Sequence, residues 1–217
     1  MLNIYAADCR GTDYVLRPEF LRFDKKRSSF LESCENSAVR SRCAAAGRML
    51  DDLLTSRFSP NYTERFSLTY NSCGKPFMHP HPDWHFNIAR TENRVFCIES
   101  DKPVGIDAED ISADHISAAE LYFTEDEREY LTCSADKAAV FTVIWTLKES
   151  YMKYLGSGFS VSPVSFSILP VCENSAVYDA EKQCTFVNKL FADVSVSVCA
   201  AGKADIGEIS LKGMVLG

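Results

Sequence analysis

Apolar and polar residues alternate at the start of the chain, where Leu2, Ile4 and Ala6 are separated by Asn3 and Tyr5. A period of two predicts an opening strand. Residues 18–32 are mixed and read as helical, with Phe20, Leu21 and Phe30 as apolar contacts and a basic cluster at Lys25-Lys26-Arg27. From about 37 to 56, Val39, Cys43, Leu50 and Leu54 are spaced for one face of a helix, with Pro60 just beyond its end. Alternation returns at Phe66, Leu68 and Tyr70. A loop dense in Gly and Pro follows from Asn71 to Pro82, and then a strand pair, 84–89 and 94–99, joined by the polar Arg90–Asn93.

The second half repeats this order. A turn at Asp101-Lys102-Pro103 precedes a strand beginning at Val104. Ile111–Tyr122 reads as a helix, a second helix begins at Thr124, and a third runs from about Ala135 to Leu155. In the third, Val140, Ile144, Leu147, Tyr151 and Leu155 form the buried stripe, and Gly156 and Gly158 end it. Strands are expected at 164–169, 184–191 and 194–199. Each half thus reads as strand, helices, strands. The fold class predicted is α+β, with two similar lobes, 1–103 and 104–217, related by pseudo-two-fold symmetry, each a small antiparallel sheet packed with helices.

Composition narrows the class. The 217 residues are 46% hydrophobic, enough for a substantial core. The net charge of -7 argues against a nucleic-acid partner held by bulk charge. Nine cysteines without a CxxC pair read as reduced thiols of a cytoplasmic protein. The N-terminus does not have the pattern of a signal peptide, and no long apolar run predicts a membrane span.

The candidate chemistry starts with Val104-Gly105-Ile106-Asp107-Ala108-Glu109. On a strand, Val104, Ile106 and Ala108 face the core, and Asp107 and Glu109 share the other face with carboxylates roughly 7 Å apart. Like charges at that spacing fit a hard divalent cation such as magnesium, or else a solvated strand face. In Trp145-Thr146-Leu147-Lys148-Glu149-Ser150-Tyr151-Met152-Lys153, Glu149 and Lys153 share a helix face. They form either an ordinary ion pair or part of a site beside the Gly156–Gly158 loop. Thr124 through Glu127 reads as a capping box, which accounts for Glu127 structurally. Arg40 and Arg48 lie on one helix side with the small Ala44 between them, a solvated face or a space for a ligand. His79, His81 and His85 read as a rigid exposed loop rather than a zinc site, because the intervening prolines break metal-ligand spacing.

In order along the chain these pieces resemble the phosphopantetheinyl transferase superfamily, in its larger surfactin-synthetase type. The family's Gly-Ile-Asp-x-Glu strand is met by Gly105 to Glu109, and its Trp-x-x-Lys-Glu-Ser/Ala-x-x-Lys helix by Trp145, Lys148, Glu149, Ser150 and Lys153. Phe123-Thr124 through Glu127 matches Phe-Thr/Ser-x-x-Glu, and Gly74-Lys75-Pro76 the Gly-Lys-Pro turn. Phe86-Asn87-Ile88-Ala89-Arg90 stands where the family has Phe-Asn-Ile-Ser-His, and Ala46-Gly47-Arg48 resembles a phosphate-contacting helix of animal members.

The resemblance implies transfer of 4'-phosphopantetheine from coenzyme A, bound between the lobes, to a serine of an apo acyl or peptidyl carrier protein, releasing adenosine 3',5'-bisphosphate. It implies Asp107, Glu109 and Glu149 as Mg2+ ligands, Glu149 also as acceptor of the serine proton, and Lys153 as a catalytic charge. Arg48, Lys75, Arg90 and Lys153 would contact coenzyme A phosphates, with Lys25, Lys26 and Arg40 as further candidates. A monomer is expected. Ala89-Arg90 in place of Ser-His keeps open a non-catalytic protein of the same fold that binds coenzyme A or a carrier. A magnesium-dependent pyrophosphatase-like enzyme is a third reading, for which the chain has no motif.

Overall fold

The computed structural model describes residues 3–10, 18–58, 66–171, 174–191, 193–204 and 210–213. Leu2, Pro60 and Cys172 lie outside the described residues. The first part of the chain forms β1 (Asn3–Asp8), α1 (Pro18–Phe23), α2 (Lys25–Ser33), α3 (Ser37–Phe58), β2 (Ser67–Tyr70), β3 (Pro76–His79), β4 (His85–Arg90) and β5 (Arg94–Ser100). The second forms β6 (Val104–Asp110), α4 (Ala119–Tyr122), α5 (Glu125–Cys133), α6 (Lys137–Leu155), β7 (Ala176–Asp179), β8 (Cys184–Phe191), β9 (Val194–Ala201) and β10 (Ser210–Gly213).

The fold is α+β, with two four-stranded sheets, β10-β1-β5-β4 and β6-β9-β8-β7, and the small hairpin β2-β3. Pairing is antiparallel throughout except that β10 lies parallel to β1. The chain end at 210–213 therefore sits on the sheet built by its beginning.

Alternation on β6 organises the centre of the molecule. Val104, Ile106 and Ala108 are fully buried and join Ile4, Ala89, Phe96 and Ile98 of the first sheet and Val194, Val196 and Val198 of the second. This apolar seam joins the two sheets, and the Asn87 side-chain oxygen reinforces it by accepting from the Ile106 N–H at 2.9 Å. The other face of β6 is covered by α6, whose Val143, Ile144 and Leu147 are fully buried. The predicted α6 stripe holds at Val140, Ile144 and Leu147, while Leu155 emerges to 45% exposure at the end. Gly156, at φ 69°, caps the helix in the left-handed region. On the first sheet, Ala45, Ala46, Met49 and Leu53 of α3 pack against Ala7, Val95 and Cys97.

Several local expectations are corrected. The helical stretch 18–32 is split at Asp24, which caps α2 by accepting the Arg27 N–H. Phe30 is 41% exposed rather than a core contact, and the burial of Phe20 lies outside what is described. The loop 71–82 contains β3, whose proline stands at the first strand position, where it is tolerated. Ile111–Tyr122 is helical only from 116. Its start is irregular, with a turn at 114–115, because Ile111 N–H bonds to Asp193 O and Ser112 Oγ accepts from Asp114 N–H. Residues 164–169 form no strand; the Phe166 carbonyl and the Ile168 N–H are taken by a buried ion pair described below. The patterning also missed β7 and β10.

Gly105 is the point of closest approach between β6 and α6. A Cβ there would lie 2.2 Å from Ser150 O, 2.3 Å from Tyr154 N and 2.9 Å from Lys153 C, all backbone atoms. Gly105→Ala is therefore expected to destabilise the protein by about 3 kcal/mol, measured by urea unfolding; stability like that of the wild type would show that α6 can shift without cost.

Candidate active site

The contact at Gly105 sets α6 against β6 so that Lys153 reaches Asp107. Its ammonium pairs with Asp107 Oδ1, and the Asp107 side chain is only 6% exposed. Lys153 does not make the i,i+4 ion pair with Glu149 that the helix spacing offered; the strand carboxylate across the interface takes it. The second carboxylate oxygen, Asp107 Oδ2, is buried and has no hydrogen-bond partner among the described residues.

Glu109 and Glu149 flank Asp107. Burial pushes the Glu109 carboxyl up to about 7, helped by the charges of Asp107, Glu149 and Asp110 and opposed by Lys153. Burial and Asp107 also raise the Glu149 carboxyl, again against Lys153. The residues expected from the β6 and α6 motifs are thus brought into one electrostatic neighbourhood.

A divalent cation fits this donor set in its chemistry: hard oxygen ligands, an unpaired buried carboxylate oxygen, and two carboxyls that resist ionisation beside a third. As the side chains stand, no group of three His, Cys, Asp or Glu among the described residues is close enough to hold a metal. Lys153 occupies one Asp107 oxygen, so the ammonium and a cation would compete for it.

Beside these residues a cavity of about 290 Å³ lies between the β2–β4 segment and the end of α6, lined by Arg27, Lys75, Arg90, Glu149, Lys153 and Gly156 among others. Lys75 stands on the turn between β2 and β3 and reaches β6 and α6. Its Nζ donates to Val104 O at 3.2 Å and Tyr154 O at 2.8 Å, and burial lowers the ammonium to about 8. Asn71 secures the same turn, its carboxamide donating to Gly156 O at 2.7 Å and accepting from Lys75 N–H. Arg90 reaches the cavity from β4 and remains exposed. Ala89 points instead into the apolar seam at 1% exposure, so it is not among the lining residues.

Arg27 was missed as a lining residue. Its Nε pairs with Asp24 at 3.0 Å and its guanidinium donates to Cys43 O, while Tyr70 OH donates to Asp24 at 2.9 Å. The one sequence signal was an Asp three positions before an Arg at a helix start. Lys26 lies near the cavity, its ammonium 4.5 Å from the Tyr70 ring centroid. Arg48 is not brought to the lining: its guanidinium is paired with Asp52 at 3.1 Å. Lys25 and Arg40 are exposed on α2 and α3. In the histidine-rich stretch, His81 stacks on Phe58 at 4.6 Å.

Glu127 and Lys148 form a separate site of a different kind. The Thr124–Glu127 capping box is present, with Glu127 Oε2 accepting from Thr124 N–H at 2.8 Å. The same carboxylate pairs with Lys148 Nζ at 2.8 Å and accepts from Ile168 N–H, and neither side chain is exposed. Lys148 also donates to Pro163 O and Phe166 O. This pair takes up two of the backbone groups that a strand at 164–169 would have needed. Burial lowers the Lys148 ammonium, with Glu127 working against that.

A family model described as the 4'-phosphopantetheinyl transferase superfamily matches residues 103–199. The 4'-phosphopantetheinyl transferase gsp of Aneurinibacillus migulanus is 36% identical over 135 residues, 60% of this chain and 56% of the relative. The 4'-phosphopantetheinyl transferase Sfp of Bacillus subtilis (strain 168) is 33% identical over 97 residues, 44% of this chain and 43% of the relative. The L-aminoadipate-semialdehyde dehydrogenase-phosphopantetheinyl transferase of Xenopus laevis is 26% identical over 191 residues, 76% of this chain and 63% of the relative. The chain spans about half the length of the bacterial relatives it matches.

Two outcomes follow from this geometry. Lys148→Met strands a buried carboxylate and should cost about 3–5 kcal/mol, much of it recovered in Glu127→Gln/Lys148→Met; a double-mutant cycle by chemical denaturation measures it. In metal-free buffer, Glu109 binds its proton more tightly in the folded than in the unfolded protein, whose carboxyl has the ordinary value of 4.5. Its contribution to stability is present below pH 4.5 and is lost as pH rises through about 7. Glu109→Gln should flatten that fall in a Tm-versus-pH series, and an unchanged slope would show that Glu109 is not its source.

Proposed function

We propose that this chain, whose residues 103–199 match the 4'-phosphopantetheinyl transferase superfamily model, transfers 4'-phosphopantetheine from coenzyme A to a serine of an apo carrier protein. The observation that carries this reading is the convergence of Asp107, Glu109, Glu149 and Lys153 beside a basic cavity.

A divalent cation held by Asp107, Glu109 and Glu149 would supply charge neutralisation at the pyrophosphate and fix its orientation. The chain's own groups do the rest. Arg90 offers a guanidinium whose planar fork matches phosphate oxygens. Lys75 has spent two N–H groups on carbonyls, which leaves its third for a phosphate. Lys153 supplies positive charge where the phosphoryl oxygens gain negative charge, and its pairing with Asp107 would be given up were that carboxylate to hold a cation. Glu149, with its carboxyl raised by burial, accepts the proton of the attacking serine. The serine oxygen bonds to the phosphorus, the bond to the bridging pyrophosphate oxygen breaks, and adenosine 3',5'-bisphosphate leaves. In this proposal, 1–103 supplies the coenzyme contacts and 104–217 the cation-binding and catalytic groups.

The replacement of Ser-His by Ala89-Arg90 fits this reading, since Ala89 faces the apolar seam and Arg90 keeps a donor at the cavity. No described helix is long and apolar enough to cross a membrane; a cytoplasmic location belongs to the proposal.

Purified protein with magnesium and labelled coenzyme A is expected to label an apo carrier protein on serine. Asp107→Ala should reduce transfer by on the order of 10²–10³-fold with little change in Tm. Coenzyme A binding in calorimetry without transfer to any of several carriers would support the non-catalytic reading instead.

A further inference from the structure

Behind the β6 carboxylates the core of the second lobe is polar. Thr146, Ser195 and Ser197 are 0% exposed and Asn188 1%. Thr146 Oγ1 lies 3.0 Å from Ser195 Oγ and 2.8 Å from Ser197 Oγ. Asn188 Nδ2 donates to the same two hydroxyls at 2.8 Å and 3.0 Å. The register sets Ser197 opposite Asp107 and Ser195 opposite Glu109, with Asn188 opposite Ser197 on the far side. Opposed residues in a sheet share a face. The cluster and the carboxylates therefore lie on the face that α6 covers.

The Asn188 amide spends its N–H groups on the two serines. Thr146 Oγ1 also lies 3.2 Å from Val143 O, so each of the three hydroxyls has an acceptor within reach, at Val143 O or at another hydroxyl of the cluster. Each hydroxyl thus has a partner other than Asp107 Oδ2, which stays buried and without a donor among the described residues, as does Asn188 Oδ1. An unpaired buried acceptor is costly, and a neighbouring serine hydroxyl would be the simplest remedy. The cluster instead holds those hydroxyls away.

We propose that Thr146, Ser195, Ser197 and Asn188 are positioning residues that lock α6 to β9 and keep their protons from Asp107, so that a divalent cation completes that carboxylate. Thr146 lies one turn before Glu149 and two before Lys153 on α6. Tying it to β9 fixes how both side chains meet β6. The inference rests on the reading of Asp107, Glu109 and Glu149 as the cation site.

The test is calorimetric titration of magnesium chloride into the full chain with coenzyme A present, alongside kcat and KM for transfer. Thr146→Val is expected to weaken magnesium binding about tenfold while metal-free coenzyme A affinity stays within about twofold of wild type. Thr146→Ser, which keeps the hydroxyl, should restore it. A folded Thr146→Val protein with unchanged magnesium affinity would overturn the proposal. If that variant does not fold, Ser197→Ala is judged by the same criterion. Undiminished magnesium binding in Asp107→Asn would overturn the cation-site reading itself, an outcome separate from failure at Thr146.

Discussion

The arrangement of this molecule depends on the absence of a side chain at Gly105. Without a Cβ there, the backbone of α6 lies directly on β6 and the end of the helix meets the carboxylate strand. Lys153 reaches Asp107, Glu149 enters the cavity, and the Tyr154 and Gly156 carbonyls come within reach of Lys75 and Asn71 on the β2–β3 turn. A larger residue would force helix and strand apart and disturb all of these at once.

Two lysines of that one helix show how burial decides role. Lys148 is sealed from water with its carboxylate and two carbonyls, and everything it touches is held in place. Its work is to order the loop after α6 and the start of α5. Lys153 has 30% of its side chain exposed and pairs with a carboxylate that has a further oxygen to offer. A charge in that position can be exchanged, which is what an anionic ligand and its counter-ion require.

Much of this was legible in the sequence where the causes are local. The alternation of Val104, Ile106 and Ala108 placed Asp107 and Glu109 on one face, the Thr124–Glu127 spacing gave the capping box, and the stripe on α6 gave its length. What failed to show depends on partners distant along the chain. Nothing in the spacing of Glu149 and Lys153 says that Asp107 will win the lysine. The loop at 164–169 has strand-like residues, but its Phe166 carbonyl and Ile168 N–H are bonded by Lys148 and Glu127. β10 could not be read because its pairing with β1 joins opposite ends of the chain. The roles proposed for Asp107, Glu109 and Glu149 rest on the family resemblance more than on their spacing.

The bond between Lys75 and Tyr154 O has a consequence for anions. A helix presents partial negative charge at its C-terminus, and α6 ends beside the cavity. Left bare, that pole would repel a polyphosphate approaching Arg90 and Lys153. The Lys75 ammonium covers it, so a cation from the β2–β3 turn offsets the negative pole of α6 beside a cavity that Glu149 also lines.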